Sequence, residues 1–494
     1  MKTLLGIDIG TSSSKAMLMD TEGRIFDIQA EDYDVDIPQE GYAQQEPETW
    51  WKAVQNILLH IKERHPEAYG SIAAIGFSGQ MHSLVPVDRE GNSVHPAIIW
   101  LDQRSQKQLD EINSRIDQEE LARVIHNKVF TGFAFPSLLW MKENRPENFR
   151  NIYKILTAKD YIRMKMTGNF GTDASDASST TGFDMKNRDW AFDILRQFGL
   201  PEDIFPECHE SMETAGYVTK ECEEKTGLRA GIPVIYGAGD QPAHTIGTGV
   251  IDDSVFVSNI GTGGQVAVYS REDVYDPKLR IHTFCHGINK AYTIFGAHLC
   301  SGMSLKWLKN EILGTESFST MNSMAEQVPA GSEGLLYLPY LTGSRTPKMD
   351  AGAQGMFFGL QLRHNRNHLV RAVMEGVIYD FHETLDIFKE LGIDCPKIIA
   401  CGGGAQSPVW LQIQADILNK DVQVCENKEQ ACLGACIMAG VGTGILESLE
   451  TACRTYIRPE EKIYHPIPSH VEVYQKRYEI YRRLYDSVKD LYER

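Results

Sequence analysis

The cysteines of this chain lack the patterns that mark metal sites and disulfide frameworks. None of the ten falls into a CxxC array, so paired-cysteine zinc sites are excluded. Cys432 and Cys436 stand four residues apart in an apolar, helix-like stretch, where we predict buried thiols, with metal ligation as the alternative. Free thiols without a disulfide pattern indicate a reducing compartment, and we expect a cytoplasmic protein.

Long apolar runs are also scarce, and acidic residues outnumber basic ones by 67 to 49. The longest uncharged stretch, 431–446, is too short to cross a bilayer and contains four glycines, so it predicts a buried helix. The N-terminal apolar run is interrupted by Asp8 and does not resemble a signal peptide. The formal net charge of −18 argues against nucleic acid as a partner. Phosphate groups must therefore be met locally, by backbone N–H groups, a lysine or a metal ion.

Two common nucleotide motifs are missing as well, namely the Walker A loop and a GxGxxG turn between a strand and a helix. Instead, short apolar runs alternate with helix-like segments, which predicts an α/β protein. The predicted strands are Thr3–Ile9, Ser71–Phe77, Pro96–Leu101, Pro233–Tyr236, Ser254–Ile260, Gln265–Tyr269 and Lys397–Cys401. The predicted helices are Trp50–Lys62, Asn367–Leu391, Pro408–Leu418 and His470–Tyr492.

One short sequence occurs in similar form near the start and in the middle of the chain. Ile9-Gly10-Thr11-Ser12-Ser13 and Ile260-Gly261-Thr262-Gly263-Gly264 both follow a predicted strand and precede another. This echo indicates two related domains that face one cleft, and chance similarity is the alternative. We place the boundary after residue 246, which gives domains 1–246 and 247–494.

Two glycine-containing turns are candidates for phosphate or nucleotide binding. Glycine lets the backbone approach an anion, and Asp8 lies just before the first turn, at Gly10. A carboxylate beside phosphates needs a cation between them, so this arrangement predicts a Mg²⁺–phosphate site, with a solvated hairpin turn as the alternative. Gly402-Gly403-Gly404 stands between a strand and a helix and directs free N–H groups at adenine, ribose or phosphate, or is simply a tight turn.

Several motifs together carry a family resemblance. Gly6-Ile7-Asp8-Ile9-Gly10-Thr11 resembles the first phosphate motif of the actin, Hsp70 and sugar-kinase superfamily. The segment 355–360, followed by His368-Leu369 and by 372–375, is similar to the second signature of the FGGY carbohydrate kinases, and further landmarks follow in that family's order along the chain. The resemblance implies an α/β fold of two actin-like (ribonuclease H-like) domains flanking a deep catalytic cleft.

The resemblance also implies roles for individual residues in a kinase that uses ATP and Mg²⁺. Asp240 matches the family's general base, and Asp8 would hold Mg²⁺ between the β- and γ-phosphates. For Lys306 a solvated helix lysine is the alternative to nucleotide binding. The nucleotide-binding candidates are Thr11, Ser12, Ser13, Gly261, Thr262, Gly263, Gly302, Lys306, Gly403 and Gly404.

A second set of residues is expected to bind the sugar. Asp102 and Arg104 either reach it or form a buried ion pair. The set comprises Gln80, Met81, His82, Asp102, Arg104 and Gln241. The segment 80–82 is most like that of the family members that phosphorylate a ketose, so the expected reaction is that of D-xylulose to D-xylulose 5-phosphate.

The sequence also allows other acceptors and a different class of function. An Asp-Gln pair such as Asp240-Gln241 also occurs in glycerol kinases, and sedoheptulose, gluconate, glycerol or another ketose are alternative acceptors. A non-catalytic actin- or Hsp70-like ATP switch is an alternative of a different class. The expected partners are the sugar and ATP, with no nucleic acid and no membrane, and a homodimer is the expected assembly.

Overall fold

The computed structural model describes residues 2–314, 317–426 and 429–492 and contains two seven-stranded sheets with helices around them. The first sheet uses strands from residues 3–239 and the second uses strands from residues 255–464. The α/β class and the actin-like arrangement of two sheet-containing domains are confirmed. Within the described residues, no helix has the length and apolar character that crossing a membrane requires.

The N-terminal sheet begins as an antiparallel meander and continues with parallel strands. Its first strand, Thr3–Ile9, pairs antiparallel with Ser13–Asp20 on one side and in parallel with Ile72–Gly79 on the other. Parallel pairing needs a crossover connection, which includes the helix Pro47–Arg64. The order across the sheet is Thr214–Tyr217, Pro233–Ile235, Ile72–Gly79, Thr3–Ile9, Ser13–Asp20 and Ile25–Asp32, with Ala238–Gly239 also paired to Ile72–Gly79.

The C-terminal sheet follows the same plan. Its first strand, Val255–Ile260, pairs antiparallel with Gly264–Ser270 and in parallel with Lys397–Cys401. The order across the sheet is His282–Cys285, Tyr292–His298, Gly264–Ser270, Val255–Ile260, Lys397–Cys401, Asp421–Cys425 and Pro459–Tyr464.

The echoed turns occupy equivalent places in the two sheets. Residues 10–12 connect the first and second strands of the N-terminal sheet, and residues 261–263 connect the first and second strands of the C-terminal sheet. In each sheet the next strand outward is antiparallel, while the two strands on the other side of the first strand are parallel. The sequence echo therefore reflects a repeated topology.

Two helices, Asp240–Gly247 and Gln430–Gly442, fill the space between the sheets. Their buried residues share one hydrophobic cluster with Leu4 of the N-terminal sheet and Val257 of the C-terminal sheet. The second helix, although late in the chain, packs on the first strands of the N-terminal sheet. The two sheets are thus joined through a common apolar layer.

Glycine makes the crossing of these two helices possible. A Cβ on Gly247 would lie 1.9 Å from the carbonyl oxygen of Gln430, and a Cβ on Gly434 would lie 2.0 Å from that of Ala243. Only a residue without a side chain allows the backbones to approach so closely. Cys432 and Cys436 on the same helix are buried free thiols, as predicted.

Of the four predicted helices, Pro408–Leu418 has the predicted bounds and the other three have shifted ends, and one predicted strand is much shorter than expected. In the segment Pro96–Leu101 only Ala97–Ile98 forms a strand, because Asp102 N–H then closes a turn on the Ile99 carbonyl at 2.9 Å. The α-helices are Pro47–Arg64, Pro66–Gly70, Gln106–Arg115, Gln118–Val124, Ala134–Asn144, Pro146–Arg150, Ala158–Thr167, Ala174–Ser179, Phe192–Leu195, Lys220–Thr226, Asp240–Gly247, Gly302–Trp307, Phe318–Glu326, Arg366–Glu390, Pro408–Leu418, Gln430–Gly442, Leu449–Tyr456 and Pro468–Val488.

Candidate active site

Asp8 and Asp240 lie at the same edge of the N-terminal sheet. Asp8 is in register with Ser78, and Ser78 is in register with Ala238, two residues before Asp240. Asp240 is the first residue of its helix, and Gly239 is the N-cap residue. Both carboxylates are half-buried. The sheet register therefore brings together two acidic residues from opposite ends of the N-terminal half.

Burial and neighbouring charges raise the pKa values of both carboxyl groups. Burial, then the Asp8 charge and the Asp176 charge, raise the pKa of Asp240 to about 8. Burial also raises the pKa of Asp8, although Ser78 Oγ donates a hydrogen bond to Asp8 Oδ1 at 2.7 Å and favours the ionised form. A carboxylate with a raised pKa is suited to accept a proton, and a second carboxylate beside it is suited to bind a cation.

A fully buried lysine behind Asp240 is surrounded by carboxylates. The lysine is Lys159, and the carboxylates are those of the equally buried Asp160, Asp173 and Asp176. Lys159 Nζ lies 2.7 Å from Asp173 Oδ1, and Ser175 Oγ donates to Asp173 Oδ2 at 2.6 Å. The same Ser175 Oγ accepts the N–H of Gly239 at 2.9 Å. The lysine thus holds, through Asp173 and Ser175, the backbone from which Asp240 projects.

The first turn presents small polar residues beside Asp8. Thr11 Oγ1 donates to Gln80 Oε1 at 3.3 Å and accepts the indole N–H of Trp100 at 2.9 Å. Ser12 is exposed at the tip of the turn, and Ser13 begins the second strand. The turn is therefore anchored through Thr11, while Ser12 faces solvent.

Most of the predicted nucleotide-binding residues line one cavity of about 670 Å³ in the C-terminal half. Of the ten candidates, Gly261, Thr262, Gly302, Lys306, Gly403 and Gly404 line it. Gly263 lies in the same turn as Gly261, and Thr11, Ser12 and Ser13 lie in the other domain's turn. Lys306 is exposed and lies on the cavity lining. Its ammonium group is available to a ligand in the cavity.

Close backbone contacts build the floor of this cavity. Gly302 N–H donates to the Gly261 carbonyl at 3.0 Å, and a Cβ on Gly302 would lie 2.2 Å from that oxygen. Gly402 has φ +75°, a left-handed conformation that favours glycine, and Gly404 packs against the Ile260 side chain. Gly403 differs, because a Cβ there would meet no atom closer than 3.8 Å.

This difference predicts a nucleotide-specific effect of Gly403→Val. A Cβ at this position has room in the surrounding protein, and the methyl groups of valine would extend into the cavity, so we expect the KM for ATP to rise about tenfold or more while the thermal midpoint changes little. Titration of ATP against the rate, with acceptor saturating, measures this. Gly404→Val is the contrasting variant, because its side chain would meet Ile260 at 2.6 Å and should lower the thermal midpoint. An unchanged KM in a folded Gly403→Val variant would place the nucleotide elsewhere.

The predicted sugar-binding segment 80–82 lies next to Asp240. Gln80 is buried, and its Nε2 donates to Gln45 Oε1 at 3.1 Å. Met81 is so close to the N-cap of the Asp240 helix that a Cβ on Gly239 would lie 2.6 Å from its Cγ. Gln80 is therefore held by hydrogen bonds within the protein, whereas Met81 packs beneath Asp240.

His82 forms an aromatic wall with Phe133. The two rings stack at 3.9 Å with an interplanar angle of 3°. The imidazole Nδ1 lies 2.7 Å from the Ser179 carbonyl, and burial lowers the pKa of His82 to about 3. The ring is therefore neutral near pH 7. Its φ of +72° shows that the backbone turns sharply here.

Asp102 and Arg104 form a buried ion pair, which is one of the two arrangements predicted for them. Arg104 Nε donates to Asp102 Oδ2 at 2.8 Å, and the side chains are 1% and 0% exposed respectively. The guanidinium also stacks over Tyr42 at 4.0 Å. In this conformation neither side chain is available to a sugar, so the pair stabilises the loop that carries Trp100.

Gln241 follows Asp240 on the helix between the sheets. Its Nε2 donates to Thr245 Oγ1 at 3.3 Å, whereas its buried Oε1 has no hydrogen-bond partner among the described residues. A buried amide oxygen without a donor is costly unless a ligand supplies one. The residue thus stays a candidate for contact with a sugar hydroxyl.

The donor set fits Mg²⁺, which usually binds proteins through one or two carboxylates together with phosphate oxygens and water. Asp8 offers such a carboxylate, next to the turn 10–13. No group of three or more histidine, cysteine or acidic residues within the described residues forms a complete metal site. Asp8 thus offers one protein ligand to a cation that also binds the nucleotide phosphates.

Comparison with known proteins identifies the family. The model of the N-terminal domain of the FGGY family of carbohydrate kinases matches residues 3–247, and that of the C-terminal domain matches residues 256–443. This chain belongs to the FGGY family of carbohydrate kinases. It is therefore an enzyme that phosphorylates a carbohydrate, and ATP with Mg²⁺ is the family's phosphoryl donor.

Individual FGGY kinases resemble the chain over its whole length. A xylulose kinase from Lactococcus lactis subsp. lactis is 36% identical over 99% of this chain and 98% of its own length. A gluconokinase from Bacillus subtilis is 30% identical over 90% of this chain and 89% of its own length. The crystal structure of a xylulose kinase from Rhodospirillum rubrum matches with a TM-score of 0.94, at 27% identity, and covers 100% of both chains.

Sequence reasoning missed the residues that support this FGGY kinase site from behind. The signal was present in Thr172-Asp173-Ala174-Ser175-Asp176, a run of small and acidic residues with a lysine nearby at 159. Such a run reads as a polar surface loop, yet it is buried. It also missed Arg345, which contacts the Phe133 wall.

Proposed function

We propose that this FGGY kinase transfers the γ-phosphoryl group of ATP to the terminal hydroxyl of D-xylulose and so forms D-xylulose 5-phosphate. The observation that carries the proposal is the half-buried Asp240 carboxylate, which starts a helix beside Asp8 and next to the segment 80–82. The similarity to xylulose kinases over the full chain supports the choice of acceptor.

In this proposal Asp240 is the general base. Its carboxylate accepts a hydrogen bond from the acceptor hydroxyl and takes the proton as the oxygen bonds to phosphorus. Asp8 would hold Mg²⁺ beside the phosphates, and the cation would supply positive charge to the transferred group. Lys159 has a positioning role, because its contacts hold the backbone at Gly239.

The other predicted site residues divide between the two substrates. Met81, His82 and Gln241 contact the sugar, and Gln80 holds the turn at Thr11. The cavity residues of the C-terminal half bind the nucleotide, with N–H donors from the turns 10–13 and 261–263 meeting the phosphates from opposite domains. We place the two domains at 1–246 and 247–494, and a cytoplasmic location and a homodimer stay predictions.

A second acceptor class has a specific observation in its favour. The Bacillus subtilis relative at 30% identity is a gluconokinase, so an aldonic acid is the alternative to a ketose. The FGGY match across both halves leaves no support for a non-catalytic ATP switch.

A panel of acceptors tests the proposed function. ADP release is measured with D-xylulose, L-xylulose, D-ribulose, glycerol and gluconate, and without acceptor. We expect the highest kcat/KM with D-xylulose. We expect ATP hydrolysis without acceptor to be far slower than sugar phosphorylation, because an acceptor must complete the site before transfer. If kcat/KM is higher for gluconate than for D-xylulose, the acceptor is an aldonic acid and not a ketose. If ATP is hydrolysed without acceptor as fast as a sugar is phosphorylated, the protein is not a sugar kinase.

A further inference from the structure

Arg345 reaches from the C-terminal half to aromatic side chains of the N-terminal half. Its Cζ lies 4.6 Å from the ring centroid of Phe130 and 5.7 Å from that of Phe133. Phe133 in turn stacks on His82, a residue of the proposed acceptor site. The guanidinium therefore lies at the aromatic wall of that site, on the side contributed by the other domain.

The Arg345 side chain makes no hydrogen bond to another residue within the part of the chain that the structure describes. Its Nε is buried without a hydrogen-bond partner, and Arg345 makes no ion pair among the residues 2–314, 317–426 and 429–492. Other buried arginines of this chain are paired, for example Arg104 with Asp102 and Arg371 with Glu375 at 2.8 Å each. Arg345 is thus an exception within its own fold.

The groups around Arg345 do not compensate its charge. The nearby titratable side chains are His82 and His282, whose pKa values burial lowers, so both are neutral near pH 7. Burial also lowers the pKa of Arg345, to about 10, and no anion opposes this effect. Contact with aromatic faces offsets only part of the cost of withdrawing a cation from water. An oxygen-rich ligand would supply the missing acceptors.

Asp240 is not the missing counterion. The groups that act on the pKa of Asp240 are Asp8, Asp176 and the Gln241 N–H, and Arg345 is not among them. The contacts of Met81 with Gly239, of His82 with Phe133 and of Arg345 with Phe133 connect Asp240 to Arg345 through the segment 80–82. An acceptor whose reacting hydroxyl lies at Asp240 and that extends along this segment has its other end at the aromatic wall.

We propose that Arg345 binds the end of the acceptor remote from Asp240 and makes the site selective for a carbonyl or carboxylate oxygen at that end. This inference rests on the proposed function, because it assumes that the acceptor lies between Asp240 and His82. It predicts open-chain ketoses and aldonic acids as the ligand class, in preference to polyols. The forked guanidinium can donate two hydrogen bonds to such oxygens.

Xylitol and xylonate test the proposal, since they differ only in whether one terminus is a neutral hydroxymethyl group or a carboxylate. Their affinities are measured by calorimetry with the full chain, which needs no turnover. We expect wild-type protein to bind xylonate about tenfold more tightly than xylitol, because a charge-assisted hydrogen bond is stronger than a neutral one. Without Arg345 the acidic site would disfavour the carboxylate, so weaker or equal binding of xylonate by the wild type overturns the proposal.

Substitutions of Arg345 test whether this residue causes the preference for xylonate over xylitol. Arg345→Gln should abolish the preference for xylonate and raise the KM of the sugar acceptor at least tenfold, with the KM of ATP unchanged. Arg345→Lys should keep part of the preference, since it retains the charge but not the fork. Arg115→Gln is the matched control, because Arg115 also stacks on a phenylalanine but pairs with Glu111 at the surface. A preference that survives in Arg345→Gln overturns the proposal.

The outcomes separate this inference from the proposed function. If the wild type phosphorylates no acceptor of the panel, the proposed function fails, and the calorimetric comparison still decides whether Arg345 binds a carboxylate. If the wild type is active but Arg345→Gln keeps its acceptor KM, only the role of Arg345 is refuted. If Arg345→Gln does not fold, the binding of xylonate and xylitol by the wild type and by Arg345→Lys tests the role of Arg345.

Discussion

Asp240→Asn is expected to lower kcat for sugar phosphorylation by about 10²–10⁴-fold, the usual contribution of a general base. Asparagine has nearly the same shape but accepts no proton in this pH range. It also removes a half-buried carboxylate that repels Asp8, so the variant should be at least as heat-stable as the wild type. Steady-state ADP release and a thermal unfolding curve measure the two effects.

A surface aspartate provides the control for this substitution. Asp193 lies at the start of the helix Phe192–Leu195, and its side chain is 99% exposed. Asp193→Asn should leave kcat unchanged. If Asp240→Asn retained more than a tenth of wild-type kcat, the carboxylate would not be the proton acceptor.

The same carboxylate determines the expected pH dependence. A protonated carboxyl cannot take the proton of the hydroxyl, so activity is lost as the pH falls through the pKa of Asp240, which is raised to about 8. At low substrate concentrations kcat/KM should therefore fall about tenfold for each pH unit below about 8. Saturating Mg–ATP should move this limb to lower pH, because a cation favours the ionised form.

Lys159→Met is expected to cause the largest loss of stability, about 3–5 kcal/mol, as when one partner of a buried ion pair is removed. The lysine side chain is 0% exposed and lies 2.8, 2.7 and 3.1 Å from oxygens of Asp160, Asp173 and Asp176. Without its charge these carboxylates repel each other in a site that water does not reach. We expect a fall of several degrees or more in the thermal midpoint.

Lys165→Met is the matched control because Lys165 lies on the same helix, Ala158–Thr167. Its side chain is 21% exposed and pairs with the half-exposed Glu48 at 3.3 Å. Solvent screens this pair, so its loss should cost less than about 1 kcal/mol. Equal effects of the two substitutions would show that the buried cluster does not stabilise the fold.

Much of the fold was predictable because hydrophobic periodicity and turn residues are local signals. The strand Thr3–Ile9 and the helix Pro408–Leu418 have the predicted bounds. The segment Pro96–Leu101 was predicted less well, because a hydrogen-bonded turn at Ile99 ends the strand early. No local pattern announces where a tertiary turn interrupts an apolar run.

The candidate site was predictable to the extent that motifs carry it. Asp8 and Asp240 stand in recognisable motifs, and the structure brings them to one sheet edge. The motif at 100–104 left open whether Asp102 and Arg104 reach the sugar, and burial shows an ion pair. The role of Arg345 could not be predicted from the sequence, because its lack of a counterion depends on which residues lie around it in the folded chain.

The sequence by itself determined the α/β class, the FGGY membership, the repeated glycine turn and the pair of aspartates, because all of these are written in residue order and spacing. Only the tertiary structure decided that the two turns are topologically equivalent, that a buried lysine supports Asp240 and that Arg345 is uncompensated. The reason is physical, since ionisation and charge pairing depend on burial and on through-space neighbours, which residue order does not specify.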